Sequence, residues 1–162
     1  RTIQSGGNDM NTSVAGGILA LGDSHGGAIE ECMEILQSEE EPEEIVDHRL
    51  SNDQKIPGIG HKVYSDEDPR ASKILEEAEL EDVAGKNVEK MKAIRSMFAE
   101  RKVDLVMNVD GAIAAVASDM GIEPELGKGL FIISRTPGLV AHVREEMDRE
   151  DFRREDGEYT GE

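Results

Sequence analysis

The chain has 162 residues, with 36 Asp or Glu against 18 Lys or Arg, giving a net charge of −18. Such a surface repels nucleic acid and anionic membranes, so neither is an expected partner, and an anionic substrate would need local cations. Cys32 is the only cysteine, which excludes an internal disulfide and points to a reducing, cytoplasmic setting.

Hydrophobic residues make up 37% of the chain and fall in periodic segments, which argues for a folded core rather than disorder. The acidity reads as adaptation to high salt, where counterions screen the self-repulsion. No run approaches the roughly 20 apolar residues of a membrane span, and no signal segment is visible. The chain opens on Arg1 without a methionine, and residues 1–13 lack a fresh helix start. A fragment without its N-terminal half is therefore expected.

The elements read as helices in chain order. Residues 12–21 are small and apolar, as where two helices pack closely. Gly22-Asp23-Ser24-His25-Gly26-Gly27 breaks that run. Residues 28–37 carry Ile29, Cys32, Met33 and Leu36 at helical spacing. The acidic stretch 38–44 reads as a solvated loop, and 45–52 as a short helix. After the glycine-rich loop Pro57-Gly58-Ile59-Gly60-His61-Lys62-Val63-Tyr64, Asp68 is placed to cap a helix with Pro69 in its first turn. That helix should run to about residue 80. Gly85 punctuates, and 87–102 sets Val88, Met91, Ile94, Arg95 and Phe98 on one side. Residues 103–120 are largely apolar with Asp104, Asn108, Asp110 and Asp119 embedded. A turn at 121–127 leads to 130–147, apolar first and then charged, and to a charged tail.

Residues 103–109 and 130–133 also have the composition of buried strands, which would suggest an α/β protein with a phosphate loop at Gly58 and Gly60. The dinucleotide fingerprint needs a third glycine where Val63 stands, and no strand precedes the loop. Aromatics are only 3%. The expected fold class is all-α.

Polar residues in apolar surroundings need a partner or a purpose, because burying one unpaired is costly. Asp110, in Met107-Asn108-Val109-Asp110-Gly111, either caps a helix starting at Gly111 or is a carboxylate of raised pKa able to act as a base. His25 lies near a helix N-terminus, where the dipole favours a neutral imidazole that donates a hydrogen bond. His61 ends the glycine-rich loop. A loop histidine with a satisfied ring is the plain alternative for both, while His48 and His142 read as structural. Without chelating histidine spacing, no metal site is expected. Arg135, in Ile133-Ser134-Arg135-Thr136, is a cation in an apolar stretch, suited to an internal carboxylate or a ligand carboxylate. Arg70 and Arg154 sit in charged company.

Gly58-Ile59-Gly60-His61-Lys62-Val63-Tyr64 followed by Asp68-Pro69-Arg70 resembles the signature of the citrate synthase superfamily. His25-Gly26-Gly27-Ala28, Asn108-Val109-Asp110, Ser134-Arg135 and the stretch 154–161 resemble that family's other segments, in the same order along nearly the whole chain. The resemblance implies an all-α, dimeric enzyme joining acetyl-CoA to oxaloacetate, with a coenzyme A thioester as substrate and no bound cofactor. By position, Asp110 would remove the acetyl methyl proton, His25 would hydrogen-bond the thioester oxygen, and His61 would protonate the ketone oxygen of oxaloacetate. Arg70 and Arg135 would hold carboxylates, with Arg154 of the partner subunit completing the clamp. An acetyl methyl is too weakly acidic for a carboxylate alone, so base and hydrogen-bond donor are needed together.

Residues 1–24 and 117–162 would belong to the family's large domain and 25–116 to its small, CoA-side domain. Gly111 stands where synthases often carry phenylalanine, and this and the segment before His25 resemble citryl-CoA lyases, which run the same carbon–carbon step backwards. Synthase and lyase both remain open. A non-catalytic CoA- or carboxylate-binding protein would need the arginines but not Asp110. Without the family's N-terminal half, this chain alone is expected to be inactive or poorly folded.

Overall fold

The computed structural model describes residues 1–22, 25–101 and 105–149. These form eight α-helices: α1 Thr2–Ser5, α2 Met10–Leu19, α3 Ala28–Gln37, α4 Pro42–Ser51, α5 Pro69–Leu80, α6 Lys86–Arg101, α7 Val109–Asp119 and α8 Gly127–Met147. A 3-10 turn at Pro124–Leu126 precedes α8. The all-α expectation holds. Of the two strand candidates, 130–133 is absorbed into α8, and the described part of 103–109 makes one antiparallel bridge, Met107 to Ile59.

Local chemistry explains most of the boundaries. Asp68 caps α5 through Arg70 N–H, with Pro69 at the first helical position, where its missing N–H costs nothing. The acidic stretch differs from expectation: α4 already begins at Pro42, so only its early residues are loop. Glu41 and Glu44 form a capping box, and Glu43 and Glu44 lie at the positive end of the helix dipole. Charge density alone read that stretch as solvated, whereas its order suits a helix start. Asp119, at the far end of α7, binds Gly85 N–H, Asn87 N–H and Val88 N–H, closing the start of α6.

Residues 25–131 form one compact unit and residues 1–22 with 132–149 another. In the first, α7 packs against α3, α5 and α6, and α4 against α6. Ala112, Ala114 and Ala115 are fully buried, and their small side chains let neighbouring helices approach closely. Ile29, Met33, Leu36, Val46, Met91 and Ile94 complete the core around them. Each large side chain buried there contributes roughly 1.5–3 kcal/mol. In the second unit the small residues of α2 meet large ones: a Cβ on Gly16 would lie 1.9 Å from Ile3 Cδ1, and one on Gly17 2.9 Å from Leu139 Cδ2. No helix among the described residues is long and apolar enough to cross a membrane.

Candidate active site

The glycine-rich loop is stapled to the segment leading into α7. Gly60 N–H donates to Val106 O at 2.7 Å, Asn108 N–H to Gly58 O at 2.9 Å, and Asn108 Nδ2 to Gly60 O at 2.8 Å. Asn108 is also the cap of α7: its Oδ1 accepts from Asp110 N–H at 3.0 Å and Gly111 N–H at 3.2 Å. One asparagine therefore fixes both the loop that carries His61 and the helix turn that carries Asp110.

The capping alternative for Asp110 is thereby corrected. The helix starts at Val109 rather than Gly111, and Asn108 fills the cap, so Asp110 sits in the first turn. Its half-buried carboxylate has no hydrogen-bond donor among the described residues. Burial pushes its pKa up, while Arg70 pulls it down; Asp68 raises it further, and His25 and His61 lower it. All four neighbours act on one carboxylate, which is a base-like environment.

His61 Nδ1 accepts two backbone N–H groups, from Val63 and Tyr64, each at 3.0 Å. On the other side of the ring Nε2 lies 3.0 Å from Arg70 Nη2, which can only donate. The Arg70 guanidinium thus sets a fixed positive charge against the His61 ring, a place suited to an oxygen carrying negative charge. The Tyr64 ring backs both groups, stacked at 4.7 Å on His61 and lying 5.8 Å below the Arg70 guanidinium. His25 precedes α3, whose N-cap is Gly27, and packs edge-to-face on Phe131 at 5.6 Å. Gly26, with φ 109°, leaves room for that ring: a Cβ there would lie 2.8 Å from Phe131 Cδ1.

His25, His61, Arg70 and Asp110 all fall within the 25–131 unit. Arg135 lies on α8 in the other unit, half-buried. Arg154 lies outside the described residues. His48 is the C-terminal-turn residue of α4, and His142 pairs with Glu145 on α8. No group of three or more metal-ligating side chains converges among the described residues.

Two features lay beyond sequence reasoning. A cavity of about 390 Å³ opens beside His61, walled by Ile56, Ile59, Phe98 and Leu105, with Lys55 and Lys62 as its cations. Lys62, adjacent to His61 in the loop, was the available sequence signal. The other is Asp68, whose side chain does more than cap: it accepts Nε and Nη2 of Arg70 at 2.9 and 2.8 Å, and Val109 N–H at 3.1 Å.

Residues 1–155 match the family described as citrate synthase, C-terminal domain. The chain is 35% identical to a citrate synthase of Haloferax volcanii, across 95% of this chain and 42% of that protein. It is similar in structure to citryl-CoA lyase from Hydrogenobacter thermophilus, with a TM-score of 0.89 and 42% identity over 99% of this chain and 67% of that one. It is also similar to citrate synthase from Thermoplasma acidophilum in ternary complex with carboxymethyl coenzyme A and oxaloacetate, with a TM-score of 0.76 and 25% identity over 99% of this chain and 46% of that one. The chain therefore spans less than half the length of the two synthases and about two thirds of the lyase.

Proposed function

The chain belongs to the citrate synthase family, and on that premise we propose that it makes or breaks the carbon–carbon bond between acetyl-CoA and oxaloacetate by way of citryl-CoA. The observation that carries this reading is the meeting of His61 Nε2 and Arg70 Nη2 beside the half-buried Asp110. In the synthetic direction Asp110 takes a proton from the acetyl methyl, and the electron pair of that C–H bond becomes the enol double bond. His25 donates a hydrogen bond to the thioester oxygen as charge builds there. The enol carbon attacks the ketone carbon of oxaloacetate, whose oxygen takes the proton of His61. Arg70 and Arg135 hold the carboxylates. The cavity beside His61, with its two lysines and apolar walls, suits the anionic and adenine portions of coenzyme A. The thioester is substrate, and no resident cofactor or metal is invoked.

A second reading, citryl-CoA lyase, is favoured by Gly111 and by the 42% identity to a protein of that name. The two differ in whether citryl-CoA is hydrolysed. The acting unit is a homodimer in which Arg154 of the partner subunit closes the clamp, with residues 25–116 as the small domain. A place in the tricarboxylic acid cycle, a cytoplasmic location and adaptation to high salt complete the reading. For the salt adaptation, melting temperature should rise with potassium chloride, and indifference to salt would remove it.

The decisive experiment supplies full-length protein either with acetyl-CoA plus oxaloacetate or with citryl-CoA, and identifies the products. Citrate from both supports a synthase; acetyl-CoA and oxaloacetate from citryl-CoA support a lyase. Asp110→Asn should retain oxaloacetate binding yet lose exchange of the acetyl methyl protons. Undiminished exchange would refute the base assignment.

A further inference from the structure

Asp68 is 1% exposed, and its side chain is fully enclosed. A buried ionised carboxylate is expensive unless paired, and capping does not require one, since Asn and Ser cap as well as Asp. Only one of its bonds, Oδ1 to Arg70 N–H at 3.1 Å, serves the cap. The others reach further. Oδ1 also accepts Arg70 Nε, while Oδ2 accepts Arg70 Nη2 and, from the start of α7, Val109 N–H. Val109 immediately precedes Asp110.

We propose that Asp68 is a positioning residue for the reaction: it locks the guanidinium of Arg70 by one edge and pins it to the first turn of α7, so that the carboxylate clamp and Asp110 are held as one piece. This rests on the citrate synthase-type reading of Arg70 and Asp110. With its Nε edge engaged by Asp68 and one face against Tyr64, Arg70 keeps its Nη2 directed at His61. A guanidinium free to rotate would present its fork in several orientations, and misplacement by an ångström at such a site is costly to rate.

Charge gives the pairing a second consequence. An uncompensated Arg70 beside Asp110 would favour the ionised carboxylate too strongly and leave a weak base. Asp68 offsets that cation. The groups facing Asp110 are His25 from the segment before α3, the neutral Cys32 thiol from α3, His61 from the loop, and Arg70 with Asp68 from α5. The neighbour from α6 is Met91, which carries no charge.

The test uses full-length protein carrying Asp68→Asn or Asp68→Ser, both able to cap α5. Aspartate labelled with 13C at the carboxyl reports the Asp110 titration directly, its resonance assigned through Asp110→Asn. In both variants Asp110 should titrate at lower pH than in the wild type. The KM for oxaloacetate should rise, kcat fall about tenfold, and the acid limb of the kcat profile move to lower pH. If Asp68 is only a cap, titration, KM, kcat and acid limb all stay at wild-type values, and the proposal is overturned. A moved titration in a protein that turns over neither substrate set would support the hold of Asp68 on Asp110 while sinking the functional reading. Should neither variant fold, the wild type still decides. The Arg70 Nε–H, assigned through Arg70→Lys, should exchange slowly with solvent, and fast exchange would overturn the proposal.

Discussion

A Cβ atom on Gly111 would lie 2.6 Å from the carbonyl oxygen of Gly58 and 2.8 Å from Met91 Cε. The reciprocal is equally tight: a Cβ on Gly58, whose φ is 85°, would lie 2.6 Å from Gly111 Cα. Two backbones therefore touch where the His61 loop crosses the first turn of α7, and no side chain fits between them. This contact sets how close His61 can come to Asp110.

Gly111→Ala should accordingly act on the site and not only on stability. The methyl group must push the loop away, because its nearest neighbour is backbone and cannot rotate aside. Overpacking of this kind costs about 1–3 kcal/mol. Thermal melting should show that loss, and kcat should fall more steeply than the folded fraction. An alanine variant of unchanged kcat would mean the loop spacing does not matter.

Asn108 joins the same two segments by hydrogen bonds. Asn108→Ala should cost about 1–2 kcal/mol through the lost cap, and it also leaves Gly60 O without its side-chain donor. Asn108→Asp separates the two roles: it keeps the cap acceptor but removes the donor to Gly60 O. The aspartate variant should melt below the wild type, because a carboxylate oxygen then faces Gly60 O, and its activity should fall further than its folded fraction. Chemical denaturation with parallel rate measurement distinguishes them.

Asp110 should be a site where function opposes stability. Burial raises its pKa in the folded protein, so the ionised form is penalised above that pKa, and the penalty disappears as pH falls below the ordinary aspartate value. Asp110→Asn removes the charge. The variant should be more stable than the wild type at pH 7, and the advantage should fade as pH falls through the acid range. Melting curves of both proteins across pH 3–8 check the sign. Asp68 works the other way: Arg70 holds its pKa at about 2, below the ordinary 3.8, so its stabilisation is present above 3.8 and lost as pH falls towards 2.

Cys32 is buried against Met91, and burial pushes its thiol up to about 12. It should stay protonated and inert to a disulfide reagent at pH 8 while the protein is folded. Labelling should occur only on unfolding, with a rate that tracks denaturant concentration. Rapid labelling of native protein would contradict the packing of α3 on α6.

Local signals were legible in the sequence wherever one segment carries its own instruction. The spacing of Ile29, Met33 and Leu36 gave α3 its bounds, and Asp68 with Pro69 gave α5 its start, because caps and apolar periodicity act within a few residues. The small residues of α2 likewise announced close packing, which Gly16 against Ile3 and Gly17 against Leu139 bear out. The motifs around His25, His61 and Asp110 marked candidate reacting groups through residue type and order. What a single segment cannot encode is which of two nearby polar residues takes the cap, since Asn108 and Asp110 are equally suited to it by type. The folded chain gives the cap to Asn108, whose amide nitrogen also donates to Gly60 O, a bond that aspartate cannot make. The contacts of His61, the double duty of Asp68 and the raised pKa of Asp110 depend likewise on groups between 2 and about 85 residues away in the chain. Sequence by itself determined the elements and the candidate reacting groups; tertiary structure decided the raised pKa of Asp110, the orientation of the groups and the backbone contact that holds them together, because each of these depends on residues far apart in the chain.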